Sequence, residues 1–399
     1  MSKENNNRLK IAFFTPLKEN SKSFYFSNSI LPYLKEFADI DIFSDTNNTD
    51  TFCDLKVYNY LTSFSHDNKK HYDIFFYQVE DDKSTNFCRV HLALRPGVVL
   101  FHDFYLSVVP PQTIITNLLL SQCDNIKRDL GKALFSLSPN PFVIKEGRCI
   151  TRNNINSIYE NNISYIPYPL TLNEYKEKKQ NEITKIIFEG STHAKSRYHK
   201  MIQSLKNIES FKLIWLTNKN EINDAIKILN DNEIKNFKVL ENSVKDIQNE
   251  LQGADIAICL LKKLEYFNTF FITEALKNNV FVISNDSKDN LKIFPNNYIA
   301  KVTLGVNESR EIEFFIKAYK ENKIMLDYKA LNENYLMNFS CKNIAFELLT
   351  LFNQIKVEIA KFYKDFEIQK ERAKKKVLKK AFSKCDDYLM DVREELNLI

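Results

Sequence analysis

Short, almost continuously apolar runs alternate with helical patterns along most of this chain, and the alternation runs through twice. The first set is "LKIAFFTP" (9–16), "DIDIF" (39–43), "DIFFYQV" (73–79), "GVVLFH" (97–102) and "SYIPYPL" (164–170). The second is "KIIFEG" (185–190), "FKLIWLT" (211–217), "FKVL" (237–240), "ADIAICLL" (254–261), "VFVIS" (280–284) and "NYIAKV" (297–302). Strands without a polar face are buried on both sides, and the helices between them supply the cover. Each set therefore predicts a parallel sheet in an α/β domain. Helical spacing appears in "FYFSNSILPYLKEF", "IITNLLLSQCDNIKRDLGKALF", "SVKDIQNELQG" and "NTFFITEALKNN". The polar stretch "TLNEYKEKKQNEIT" between the sets has no apolar period and reads as a linker. The expected organisation is a domain over 1–170, a linker over 171–184, a second domain over 185–354 and a helical tail over 355–399. Ligands of such sheets bind at the carboxyl ends of the strands, so the cleft between the domains is the natural site.

The overall balance excludes several classes. A net charge of +5 over 399 residues is mild, and no compact basic module is seen, so nucleic acid is not an expected partner. Seven cysteines are scattered without a C-x-x-C pair, as buried thiols in a reducing compartment would be. The start "MSKENNNRLK" has no apolar core of a signal peptide, and no run of 18 apolar residues occurs. A cytoplasmic protein is expected. Only 6 glycines are present, so each is the more apt to answer a backbone need.

Three motifs carry chemistry. "FEGSTHAKSR" (188–197) reads as strand, tight turn and basic helix start, a geometry that binds anions through free backbone N–H groups and the helix dipole. It is one residue short of a P-loop and has Ala194 where the second glycine belongs, so a nucleoside triphosphatase is not expected. Lys195 and Arg197 are candidate phosphate ligands, with a solvated helix start as the plain alternative. "FHDF" (101–104) places His102 at the carboxyl end of a strand, where it can donate into the cleft or be structural. "NTFFITEALKNN" puts Glu274 in an otherwise apolar helix. A carboxylate there needs partners, and ribose hydroxyls would serve, as would solvent. The D-x-D of "DIDIF" lies in an expected buried strand and "HDNKKH" has no cysteine neighbours, so neither reads as a metal site.

Taken in order, "LKIAFFTPL", "SFYFSNSILPYLKEFADIDIFSD", "RPGVVLFHDFYLS", "ISYIPYPL", "IIFEGSTHAKSR" and "GADIAICLL…TFFITEALKNNVFVISND" resemble the family 4 retaining glycosyltransferases over roughly residues 9–350. The resemblance implies the GT-B architecture, two Rossmann-like domains facing a cleft. It implies a nucleoside diphosphate sugar as donor, with no cofactor and no metal. Lys195 and Arg197 would neutralise the leaving diphosphate, Glu274 would hold the ribose, Glu265 would approach the sugar, and His102 would contact sugar hydroxyls. The sequence departs from the family pattern in three places. Phe267 stands at or near the first motif glutamate, Asn279 and Phe281 replace a glycine and a proline, and "ENSKSFYF" in the first loop lacks glycine. Two functions follow as expectations: a transferase acting on a cell-surface glycan or lipid-linked acceptor, or a catalytically silent GT-B protein that binds a glycan or a partner enzyme.

The tail adds a further expectation. Residues 355–384 show helical apolar spacing, and within 370–384 eight Lys or Arg face one Glu. A basic amphipathic helix suits an anionic membrane surface at the inner face of the membrane, or else a solvated face against protein.

Overall fold

A computed structural model of the chain describes residues 8–46, 51–80, 82–103, 133–139, 163–172, 182–260, 269–285 and 298–364. It divides into two compact units, Met1–Leu349 and Thr350–Ile399. The first unit holds two sheets. Of the second, residues 350–364 are helical, while 365–399, with the basic stretch, lie outside the described residues.

The first sheet has the order β3-β4-β2-β1-β5-β6-β7-β8. Its strands are β1 (Leu9–Phe14), β2 (Ala38–Ser44), β3 (Thr51–Phe52), β4 (Leu55–Asn59), β5 (Ile74–Val79), β6 (Gly97–Phe101), β7 (Ala133–Ser138) and β8 (Ile163–Tyr165). All pairs are parallel except the β3–β4 hairpin. The second sheet has the order β11-β10-β9-β12-β13-β14, wholly parallel. Its strands are β9 (Thr184–Glu189), β10 (Phe211–Thr217), β11 (Phe237–Glu241), β12 (Ile256–Cys259), β13 (Phe281–Asn285) and β14 (Ile299–Val302). Hairpin aside, each sheet starts in its middle, runs to one edge, then returns to continue on the other side. This is the doubly wound Rossmann order, and it puts a crevice between β1 and β5 in one sheet and between β9 and β12 in the other.

Helices cover the sheets where the apolar period required it. In chain order they are α1 (Lys22–Leu34), α2 (Ser63–Lys70), α3 (Asn86–Leu94), α4 (Tyr198–Leu205), α5 (Ile222–Asp231), α6 (Val244–Leu251), α7 (Thr269–Lys277), α8 (Glu308–Lys320) and α9 (Tyr328–Asn334). Caps follow local chemistry: Ser21 and Ser243 accept the N–H groups of Phe24 and Asp246 at the starts of α1 and α6. Asn279 takes φ 56 just past α7. Asparagine tolerates this left-handed turn, so the helix stops there. Gly97 answers a packing need, since a Cβ there would lie 2.3 Å from the Phe75 carbonyl oxygen.

One expectation is corrected, and two strands were not expected. The stretch expected to be helical up to Phe135 ends in strand β7, whose "ALFSLS" is an apolar run of the kind that pairs beside β6; residues 104–132 lie outside the described residues. The short strands β3, at the sheet's edge, and β4, between it and β2, had no apolar signature, and β4 is only partly buried. After residue 305 the chain is helical but interrupted: α8, α9, a 3-10 turn at Leu336–Phe339, then helix from 341. The segment after α9 returns to the first sheet's side, where Leu170 bridges Ser340 and Phe346 packs on Phe37 at 4.9 Å.

Candidate active site

The two crevices are brought together by the first loop and α1. The Asn20 carbonyl accepts the N–H of Val244 at the start of α6 (3.4 Å). From α1, the Tyr25 hydroxyl lies 2.7 Å from the Pro169 carbonyl and 3.1 Å from Glu274 Oε1. Phe270 at the start of α7 stands edge-on to both Tyr25 (5.0 Å) and Tyr168 (5.3 Å). Glu274 is therefore at the seam between the sheets, 1% exposed, with Lys277 Nζ 3.2 Å from its other oxygen. Burial, with Glu274 beside it, pushes the Tyr25 hydroxyl well above its ordinary range, so it remains a donor.

On the second sheet, the loop after β9 is fixed from several sides. Trp215 Nε1 donates to the Gly190 carbonyl (2.6 Å). A Cβ on Gly190 would meet the Phe188 ring at 2.9 Å and Ser196 Cβ at 3.0 Å, which is why glycine stands there. Glu221, at the start of α5, accepts the Thr192 N–H (2.8 Å) and the Thr217 hydroxyl (2.9 Å). Lys195 sits in the 3-10 turn Ala194–Ser196; its side chain is outside what the structure describes. Arg197 follows at φ 55, and its guanidinium does not point to an empty site. It grips Glu308, fully buried at the start of α8, through Nε (2.6 Å) and Nη2.

On the first sheet, His102 is 5% exposed and both ring nitrogens are engaged inside the protein. Gln78 donates to Thr15 and Ser27 through its amide nitrogen, so its oxygen faces His102 Nε2 (2.8 Å) and makes that nitrogen the protonated one. Nδ1 then accepts from Tyr168 (3.1 Å). Burial pushes the imidazole down to about 3, against the pull of Asp103. As folded, His102 is a neutral ring holding Gln78 and Tyr168 in place, with no free nitrogen for a ligand.

Beside it lies a charged group of which only Asp103, in "FHDF", was visible in the sequence. Lys22, the first residue of α1, reaches Asp103 at the end of β6 (2.6 Å). Glu80, the residue after β5, accepts the N–H groups of Lys22 (3.1 Å) and Ser23 (3.4 Å) with Oε2. Burial and then Asp103 push Glu80 up to about 7, against Lys22 and the Ser23 amide. Burial opposes the Lys22 charge, yet Asp103, Glu80 and Glu189 of the other sheet together raise its pKa. A carboxylate immediately after a near-continuously apolar strand was the signal that could have found Glu80; nothing in the sequence marks Lys22 or Tyr25. Glu265 lies outside the described residues. The aspartates of "DIDIF" separate, Asp41 buried against Lys70 and Tyr72, Asp39 on the exposed side near Arg8.

Two doubly wound sheets facing one seam, closed by a final helical segment that returns to the first, define the GT-B fold, and solved structures agree. The chain resembles a glycosyltransferase from Rickettsia africae (13% identity, TM-score 0.57, 88% of this chain and 99% of that one). It resembles sucrose-phosphate synthase from Thermosynechococcus elongatus (11%, 0.59, 88% and 100%) and Anabaena HepE, solved with UDP-glucose (14%, 0.53, 90% and 100%). No family model and no curated protein sequence matches the chain.

Proposed function

We propose that the chain transfers a sugar from a nucleoside diphosphate sugar to a glycan or lipid-linked acceptor, with retention and without a metal. The observation that carries this reading is Glu274: a carboxylate 1% exposed, at the seam of two Rossmann sheets, answered by a hydroxyl from the opposite side. A ribose hydroxyl could take the place of Tyr25 without leaving the carboxylate unpaired. Lys195, in the turn after β9, would meet the diphosphate, and Glu265 would approach the sugar. His102 would act as a positioning residue, holding Tyr168 against Phe270. The basic stretch 370–384 would bring the enzyme to an anionic membrane carrying its acceptor.

A second reading is favoured by a specific observation. Arg197 is committed to Glu308 and the Thr192 amide to Glu221, so internal carboxylates stand where a diphosphate would be met. A silent GT-B protein that binds a glycan or partner enzyme would show this. Calorimetric titration with UDP, GDP, UDP-glucose and GDP-mannose separates the two. The transferase reading expects at least one nucleotide to bind, and Glu274→Ala to weaken it. Absence of binding by all four would leave the silent reading.

A further inference from the structure

The start of α1 is filled from within by acid. Glu80 Oε2 takes the first two N–H groups of the helix and Asp103 takes the Lys22 ammonium. Glu80 nevertheless has its other oxygen, Oε1, buried without a hydrogen-bond partner, although the residue is only 5% exposed. The Ser23 hydroxyl, fully buried in the same first turn, is also unpartnered. Each such orphan costs a desolvation penalty with no return. They lie at the carboxyl end of β5 beside the β1–β5 crevice, where sheets of this order take their ligands.

The chemistry of the group selects the ligand. The Lys22 ammonium pairs with Asp103 and also feels the carboxyl groups of Glu80 and, from the other sheet, Glu189. Like charge repels a phosphate there, and the helix N–H groups that would otherwise attract one are already taken. Carboxylate oxygens, a serine hydroxyl and an ammonium are the partners of neutral hydroxyls, which donate to the first and accept from the last. We propose that Glu80, Ser23, Asp103 and Lys22 form a saccharide-hydroxyl site that admits an uncharged sugar ring and rejects a phosphorylated one. The proposal rests on the reading that this seam handles a sugar, whether transferred or merely bound. It restricts an acceptor to meeting α1 with its hydroxyls, its phosphate lying elsewhere.

Saturation-transfer NMR on the full chain tests this, using glucose, galactose, mannose and N-acetylglucosamine and their 6-phosphates, with and without UDP. At least one neutral sugar is expected to bind, with its phosphate at least tenfold weaker. Glu80→Gln keeps an oxygen for the helix N–H groups, and is expected to reduce neutral-sugar binding at least tenfold. Ser23→Ala serves as the second variant should Glu80→Gln fail to fold. Failure of every neutral sugar to bind overturns the site, as does tighter binding of a phosphate or undiminished binding by the folded variants. Sugar binding that the variants abolish, in a chain that ignores UDP, keeps this site and sinks the donor reading instead.

Discussion

Replacing Arg197 by alanine is expected to unfold the second sheet's domain more easily, and to leave nucleotide affinity of the folded protein near wild type. The guanidinium meets Glu308 through two nitrogens, and Glu308 is fully buried. Removing one partner of such a pair strands the other charge, at about 3–5 kcal/mol. The start of α8 returns part of this through the helix dipole, ~0.3–1 kcal/mol. The left-handed backbone at φ 55 is common to arginine and alanine, so its strain cancels. A net loss of about 3–4 kcal/mol, set against an m-value of ~3 kcal/mol/M in urea, lowers the midpoint by about 1 M. The chain has one tryptophan, Trp215, fully buried in β10 and 5.5 Å from the ring of Tyr198, the residue after Arg197. Its fluorescence therefore reports on the region perturbed. Leucine at both 197 and 308 removes both charges and should restore most of the stability. A midpoint within about 0.2 M of wild type, well inside that expected shift, together with lost UDP binding, would refute the reasoning. It would return Arg197 to the diphosphate.

Other outcomes follow from the same structure. His91 and His102 are pushed down to about 3 by burial and Glu80 up to about 7, from ordinary values of 6.5 and 4.5. Between about pH 5 and 6 the unfolded chain gains two protons on the histidines and loses the one the folded chain keeps on Glu80. Stability from these three groups should then fall by ~1.4 kcal/mol per unit as pH drops, and Glu80→Gln should double that slope in urea titrations. Gly97→Ala should cost about 1–3 kcal/mol or more, read as a lower melting temperature, because the new Cβ meets the Phe75 carbonyl. Tyr25→Phe frees Glu274 from a competing hydroxyl and should tighten UDP binding while lowering stability; unchanged affinity would argue that ribose does not meet Glu274. The full chain should sediment with anionic vesicles at low salt and release as salt rises, and glutamine at the eight Lys and Arg of 370–384 should abolish it.

The sheets were legible because buried parallel strands leave near-continuous apolar runs, as "IFFYQV" and "KIIFE" do, and all six strands of the second sheet were expected where they fall. Strand β4 was not, since "LKVYN" mixes charge with apolar residues and is only half-covered. Strand β7 was absorbed into a helical reading because its "ALF" continues the apolar spacing before it. Within the site, Glu274 could be singled out because a carboxylate in an apolar helix contradicts its surroundings. The partners could not: Tyr25 lies 249 positions away in sequence, and Glu308 meets Arg197 across 111. Such pairings depend on how α1 and α8 lie against other elements, which no local pattern records.

The separate closure of the two sheets also bears on how the chain is made. Among the described residues, no strand between 184 and 302 pairs with the first sheet, so pairing of the first can be complete before the second leaves the ribosome. The second sheet, like the first, has a delay built into its strand order. Its central strand β9 emerges first, yet one neighbour is β12, whose residues follow only after β10 and β11. At ~5–20 residues per second, the side of β9 meant for β12 waits roughly 3–13 s with an apolar edge unpaired. During nascent-chain growth, this interval leaves the sheet open to misassembly with its neighbours.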